Sequence, residues 1–213
     1  MTTSVVLYGV DSVYSAEVAE TLSRLGIEIA AGIITGEPEW DLRGIPQLVE
    51  ESKIDARLRS LPVVVPWVTP AFRHDRWQRA RNAGFTRFQT VVHPTAVVAS
   101  TASIGEGVFV SAGAMVGAYA TLANGTLVAH NAYVGHHSVL EEFVSIAAGA
   151  TIGGRCLIES ATMVALGAAV ASGLRIGSNS VVALGAAVIR DVPDNVMVAG
   201  CPAKVMKARA PLP

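Results

Sequence analysis

Charged residues are scarce in this chain. Asp, Glu, Lys and Arg make up 15% of it, and the 16 basic and 17 acidic side chains nearly cancel to a formal net charge of -1. A nucleic-acid binder needs a concentrated basic surface, so that class of partner is excluded. Cysteine is scarcer still. Cys156 and Cys201 are too few for a disulfide framework or a paired-cysteine metal motif, and a reducing, cytoplasmic setting is expected. The opening MTTSVVLYGV lacks the basic segment and cleavage site of a secretory leader. Charge is absent altogether from Val108 to Leu140, a run longer than a bilayer span requires. Thr121, Asn124, Thr126, Asn131 and three histidines interrupt that run, so no membrane insertion is expected from it.

What fills the run is a repeat. From Val92, every sixth residue through Val98, Ile104, Val110, Val116, Leu122, Val128, Val134, Leu140, Ile146 and on to Val188 is Val, Ile or Leu. Four residues after each stands mostly a small residue, among them Ala96, Ala114, Ala132, Ser138, Ala150, Cys156, Thr162 and Ser180. A helix repeats near 3.6 and a lone strand at two, so a strict six requires a chain that turns regularly. Three short strands per coil would point each aliphatic residue inward and put the small residue at the bend. Residues eighteen apart then stack in ladders about 4.8 Å apart. Cys156 falls in the small inward position and reads as a structural thiol.

Before the repeat, SVVLYGV reads as a buried strand, and Val18, Leu22 and Leu25 mark a helix over 13–25 that ends at Gly26. IEIAAGII and LPVVVPWV supply further strands, and AFRHDRWQRARNAG a charged helix closed by Gly84. The reading is a small βαβ unit over 1–85, a β-helix over 86–192 and a capping tail over 193–213. The strand-turn-helix at Gly9, Asp11 and Ser12 is a candidate nucleotide site, since such a turn can present backbone N–H groups to phosphates. The alternative is a parallel-sheet unit that only packs on the solenoid. In the tail, Lys204, Lys207 and Arg209 form a positive end.

The repeat also sorts the histidines. His130 and His136 hold equivalent places in successive hexads, hence different corners of one coil, and cannot share a metal ion. No acid or cysteine lies at ligand spacing, so no metal site is expected. His136, two residues after inward Val134, projects outward as a candidate general base, because imidazole titrates near neutral pH. The competing reading is a bystander at a corner. His93 would help start the first coil, and His74 lies in the charged helix.

Three segments, HPTAVVASTASIGEGV, GHHSVLEEFVSIAAGATIGG and RDVPDNVMVAGCPAKV, resemble the sugar acetyltransferases of the sialic-acid O-acetyltransferase and bacillosamine N-acetyltransferase type. The resemblance implies an α/β Rossmann-like N-terminal domain followed by an all-β left-handed parallel β-helix. It implies a homotrimer that takes acetyl from acetyl-CoA to a nucleotide-linked amino sugar in clefts between subunits. The family's base falls on His136. Gly154, one coil on, would leave room for the pantetheine arm. Backbone groups near Leu166 and Leu184 would contact acetyl-CoA, with Lys204 and Lys207 nearby, and His130 would border the cofactor or substrate path.

This sequence also departs from the family. His137 stands where an acid usually follows the base, and could serve as a neutral acceptor. Ser145 replaces a histidine that helps hold acetyl-CoA, Ala129 a frequent asparagine, GVDSVY a glycine-rich turn and IITGE an acidic pair at the nucleotide base. Sugar O-acetylation and a non-catalytic trimeric scaffold remain open as alternatives.

Overall fold

A computed structural model describes residues 4–37, 41 and 44–211. The first unit is a parallel sheet of β1 (Ser4–Tyr8), β2 (Glu28–Ile34), β3 (Leu48–Glu50) and β4 (Val63–Val64), in the order β3-β2-β1-β4. Helices α1 (Ser15–Arg24), α2 (Ala56–Arg59) and α3 (Pro70–Asn82) connect or follow its strands. Strand β1 is buried on both faces from Val5 to Tyr8, as expected for a parallel sheet covered on both sides. Gly26 and Gly84 take positive φ just beyond α1 and α3, the conformation that glycine adopts without steric cost at a helix end. Leu25, read as the last residue of the helix, instead caps α1 and is 37% exposed. β3 and α2 were not foreseen.

From Val91 the chain becomes a stack of parallel two-residue strands on three faces. The first face carries Val91–Val92, Phe109–Val110, Leu127–Val128, Ser145–Ile146, Met163–Val164 and Val181–Val182; the second runs from Val97–Val98 to Ala187–Val188, and the third from Ser103–Ile104 to Arg175–Ile176. Each strand pairs with its counterpart eighteen residues on, as Tyr133 with Thr151 and Val134 with Ile152. The stacked repeats are those of a parallel β-helix, consistent with the left-handed hexapeptide type. Its interior is the aliphatic series, buried from Val110 to Val188, with Ala114, Ala132, Ala150, Cys156 and Ala168 at the bends. Small residues are needed there because three strands converge on one narrow prism.

Every third residue after the inward one, from Gly107 to Gly185, has positive φ. Half of these corners are not glycine: Tyr119, Asn131, His137, Phe143, Arg155, Ala161 and Asn179. Each such conformation carries a steric cost in an L-residue, offset by a hydrogen bond to the coil behind it, as from Asn131 N–H to Ala112 O at 3.1 Å and His137 N–H to Ala118 O at 2.9 Å. After Pro193 the six-residue rhythm stops, yet Val196–Ala199 still pairs in parallel with the first face and is closed by an antiparallel strand, Lys204–Ala208.

The N-terminal unit sits on the first face. Phe109, Leu127 and Val91 pack with Val5, Leu7, Val18 and Leu22, while Phe143 joins Trp77, Phe85 and Phe88. Arg73 locks this joint. Its guanidinium donates to the carbonyl oxygens of Gly125 (2.6 Å), Trp67 (2.6 Å), Val68 (2.9 Å), Phe143 (2.9 Å) and Val144 (3.0 Å) and to Ser145 Oγ (2.8 Å). Burial pushes the guanidinium down to about 9. The ring of carbonyl oxygens takes the place of water around it.

Candidate active site

The corner between the second and third faces carries His136 and His137, both exposed. Their Nδ1 atoms are 3.0 Å apart, and their rings stand nearly perpendicular at 5.2 Å. His136 lies over Gly154, one coil on; a Cβ there would come within 2.6 Å of His136 Nε2 and 2.8 Å of Cε1. Gly154 was expected to clear a path for the pantetheine arm. In this chain the cleared space holds the imidazole itself. His137 projects beside it at φ +57°, its ring 4.9 Å from that of Tyr119 in the preceding coil. Arg155 takes the same corner position in the following coil, at φ +60°.

The two nearest acids are committed elsewhere. Glu141 Oε2 accepts from Ser160 N (3.0 Å) and Oγ (2.8 Å), and Glu142 Oε1 from Asn124 Nδ2 at 3.3 Å. Imidazole is therefore paired with imidazole, with no carboxylate bonded to either ring among the described residues.

The other expected site residues are dispersed. Leu166 and Leu184 stand exposed, at 52% and 71%, on the corner between the first and second faces. His130 occupies that same corner two coils earlier, but its Nε2 lies 3.3 Å from Glu17 Oε2 on α1, so it helps to seat that helix. Lys204 and Lys207 lie exposed on the closing strand.

Ser145, expected beside the cofactor, is fully buried in the joint, where its Oγ donates to Val68 O at 2.6 Å and accepts from Arg73. That expectation is corrected: a serine is small enough to leave the guanidinium its place.

Gly9, Asp11 and Ser12 also turn inward. Trp67 Nε1 donates to Gly9 O at 2.8 Å, and a Cβ on Gly9 would come within 2.7 Å of Trp67 Nε1 and 2.9 Å of Arg76 Cγ. Asp11 is buried, accepting from Thr35 N (3.0 Å) and Oγ1 (2.8 Å), with Arg76 at 3.7 Å. Ser12 Oγ accepts from Tyr14 N at 3.2 Å. Among the described residues, Trp67 and Arg76, both after β4, fill the space beside Gly9. At this sheet end exposed Phe72 stands edge-on to Trp67, and the largely covered Arg76 guanidinium lies 4.5 Å over the Trp67 ring; neither was singled out in the sequence. Aromatic and basic residues of a charged helix carry no signal there until the sheet order is known.

His93, as expected, is tied into the start of the first coil, its Nδ1 accepting from Thr95 N at 3.1 Å. His74 stands edge-on to Phe143 at 4.8 Å. Cys156 is buried, its thiol 3.2 Å from Ala171 O. Among the described residues no three His, Cys, Asp or Glu side chains gather as metal ligands, and no helix is long and apolar enough to cross a membrane.

A prism of hexapeptide coils with a histidine corner defines the class, and comparison with known proteins agrees. Residues 87–201 match the model of the GMPPB C-terminal domain, and the chain belongs to that family. No curated protein sequence matches it. Along 97% of its length the chain is similar to a mutant perosamine N-acetyltransferase from Caulobacter crescentus in complex with CoA and GDP-perosamine, at 26% identity and a TM-score of 0.86 over 98% of that chain. It is equally similar to the acetyltransferase domain of PglB from Neisseria gonorrhoeae in complex with acetyl coenzyme A, at 26% identity and a TM-score of 0.85, covering 97% of this chain and 100% of that one. WeeI from Acinetobacter baumannii, at 22% identity and a TM-score of 0.80, shares the fold over 96% of this chain and 100% of its own. The first two of these neighbours are acetyltransferases, one of them acting on perosamine.

Proposed function

We propose that this protein is an acetyl-CoA-dependent N-acetyltransferase that acylates the amino group of a nucleotide-linked sugar, with His136 as general base. One observation carries the reading: His136 is exposed, its Nδ1 is engaged by His137, and its Nε2 has no hydrogen-bond partner among the described residues. It is a base held from behind with its working nitrogen free. Full-length likeness to enzymes solved with CoA and with GDP-perosamine supports donor and acceptor class.

The sugar amine, losing its proton to His136 Nε2, attacks the thioester carbonyl, and the thiolate of CoA leaves. An imidazole without a carboxylate behind it is suited to an amine acceptor. A hydroxyl, much less acidic than an ammonium, asks for a stronger base.

The chain is read as a left-handed β-helix bearing a Rossmann-like domain over 1–85, working as a cytoplasmic homotrimer. The trimer is supported by the placement of the candidate residues: the whole second face separates the His136 corner from the Leu166–Leu184 corner. Only a neighbouring subunit can bring the two kinds of corner together. The outward side chains at the start of that face, Val97, Met115 and Tyr133, are exposed and apolar, as an unpaired interface would be. Lys204 and Lys207, exposed on the closing strand, are assigned in this reading to the anionic end of CoA, which their charge suits.

Calorimetric titration of acetyl-CoA, followed by assay with GDP- and UDP-linked amino sugars, tests the reading. Micromolar binding and acetylated amine are expected, with His136→Ala binding the donor and losing the rate. Absence of donor binding would leave only the scaffold.

A further inference from the structure

Two imidazole Nδ1 atoms 3.0 Å apart are a chemical statement about protons. Two bare lone pairs would repel at that distance, and two N–H groups would collide, so the contact requires one proton between the rings. If His136 is to accept a proton at Nε2, its own proton must sit on Nδ1. His137 must then present a bare Nδ1 and carry its hydrogen on Nε2. We infer that His137 is a positioning residue for the base, an imidazole that fixes the tautomer and orientation of His136 by accepting its Nδ1–H. This inference rests on the acetyltransferase reading above.

The surroundings of His137 suit that task. Its backbone is held in the left-handed region by the N–H bond to Ala118 O at 2.9 Å, and its ring is flanked by Tyr119 at a 33° tilt. Arg155, at the same corner of the next coil, donates its N–H to His136 O at 2.8 Å and ties the base's backbone to that coil. Glu141 and Glu142 face the next corner, bound to Ser160 and Asn124. Tyr119 and Arg155 are the pair's neighbours along the corner.

The step balances. The amine nitrogen's electron pair forms the C–N bond, the C–S pair leaves with sulfur, and the ammonium proton moves to His136 Nε2. The resulting imidazolium keeps its Nδ1–H on His137 until the Nε2 proton passes to the departing thiolate.

The test uses two variants whose backbones tolerate φ +57°: His137→Gly, which removes the ring, and His137→Asp, which replaces it with a carboxylate. With His137→Gly, kcat falls about 10- to 100-fold, the range seen when a metal-bound histidine loses its orienting partner, while KM for acetyl-CoA is unchanged. His137→Asp recovers kcat and moves the acid limb of the kcat/KM profile to higher pH, since a carboxylate makes the imidazole more basic. In the free wild-type protein, 15N spectra of the histidine rings show a protonated Nδ1 on His136 and a bare Nδ1 on His137. An unchanged kcat and pH profile in His137→Gly, or a proton found on His137 Nδ1, would overturn the inference. The expected ring spectra in a protein that binds no acetyl-CoA would instead overturn the acetyltransferase reading and leave the paired rings standing.

Discussion

His136 occupies the space that a side chain on Gly154 would need: Nε2, Cε1 and Cδ2 of the ring all lie within 3.0 Å of the position of a Cβ at residue 154. Residue 154 has no positive φ, so alanine is acceptable to its backbone. Gly154→Ala is therefore expected to swing the imidazole aside and leave the coil intact. A displacement of about 1 Å costs roughly 10²-fold in rate. Steady-state kinetics should record that loss, with melting temperature and acetyl-CoA affinity unchanged.

Gly135 presents the opposite case. A Cβ there would fall 2.5 Å from both Gly153 C and Gly154 N, and these are main-chain atoms that cannot rotate away. Gly135→Ala forces neighbouring coils apart. A loss of more than about 3 kcal/mol is expected, in the range reserved for severe steric or packing defects. Urea denaturation of the two glycine variants side by side distinguishes a displaced side chain from a displaced backbone.

Arg73 is predicted to be the costliest single truncation in the joint. Arg73→Met would take a donor from five carbonyl oxygens and the Ser145 hydroxyl, though Val68 O keeps the Ser145 Oγ–H and Val144 O the Leu127 N–H. A loss of about 3–5 kcal/mol is expected, similar to that on breaking a buried charged cluster. Arg73→Lys recovers little, because one ammonium cannot reproduce the planar fork. Chemical denaturation followed at the tryptophans, two of which pack near this helix, reports it.

Glu51 supplies a pH dependence. Its hydrogen bond with Arg79 holds the carboxyl below its ordinary 4.5, aided by the Tyr8 hydroxyl and opposed by partial burial. A depressed carboxyl stabilises the fold above its unfolded value, and this contribution disappears as pH falls through the lower folded value. Thermal midpoints measured from pH 7 down to pH 3 should fall more steeply for wild type than for Glu51→Gln.

The β-helix was legible because each coil must repeat its inward residue, and the run from Val92 to Val188 does so without slippage. The outward direction of His136 followed from the same count, since two residues past an inward valine is a corner. The joint was not legible. Arg73 belongs to RHDRWQRARN, a segment that reads as a solvated face, and nothing local marks one of its arginines as buried among carbonyls. Ser145 was misplaced for the same reason: an outward position on the first face is exposed in an isolated prism and buried once another unit covers it. Gly9 announced a tight turn, but Trp67, which fills the space beside it, lies 58 residues away and enters only through the order of the strands.

The eighteen-residue pairing also limits how this protein can change in length. One residue inserted within a strand between Val92 and Val188 would turn the following side chains out of their columns, so added residues must loop out at a corner. A complete turn added or lost beyond Arg175 would leave the histidine corner untouched and move the C-terminal hairpin by one inter-strand spacing, about 4.8 Å. Variation in the reach between the histidine corner and the basic end of the molecule would therefore come in whole steps.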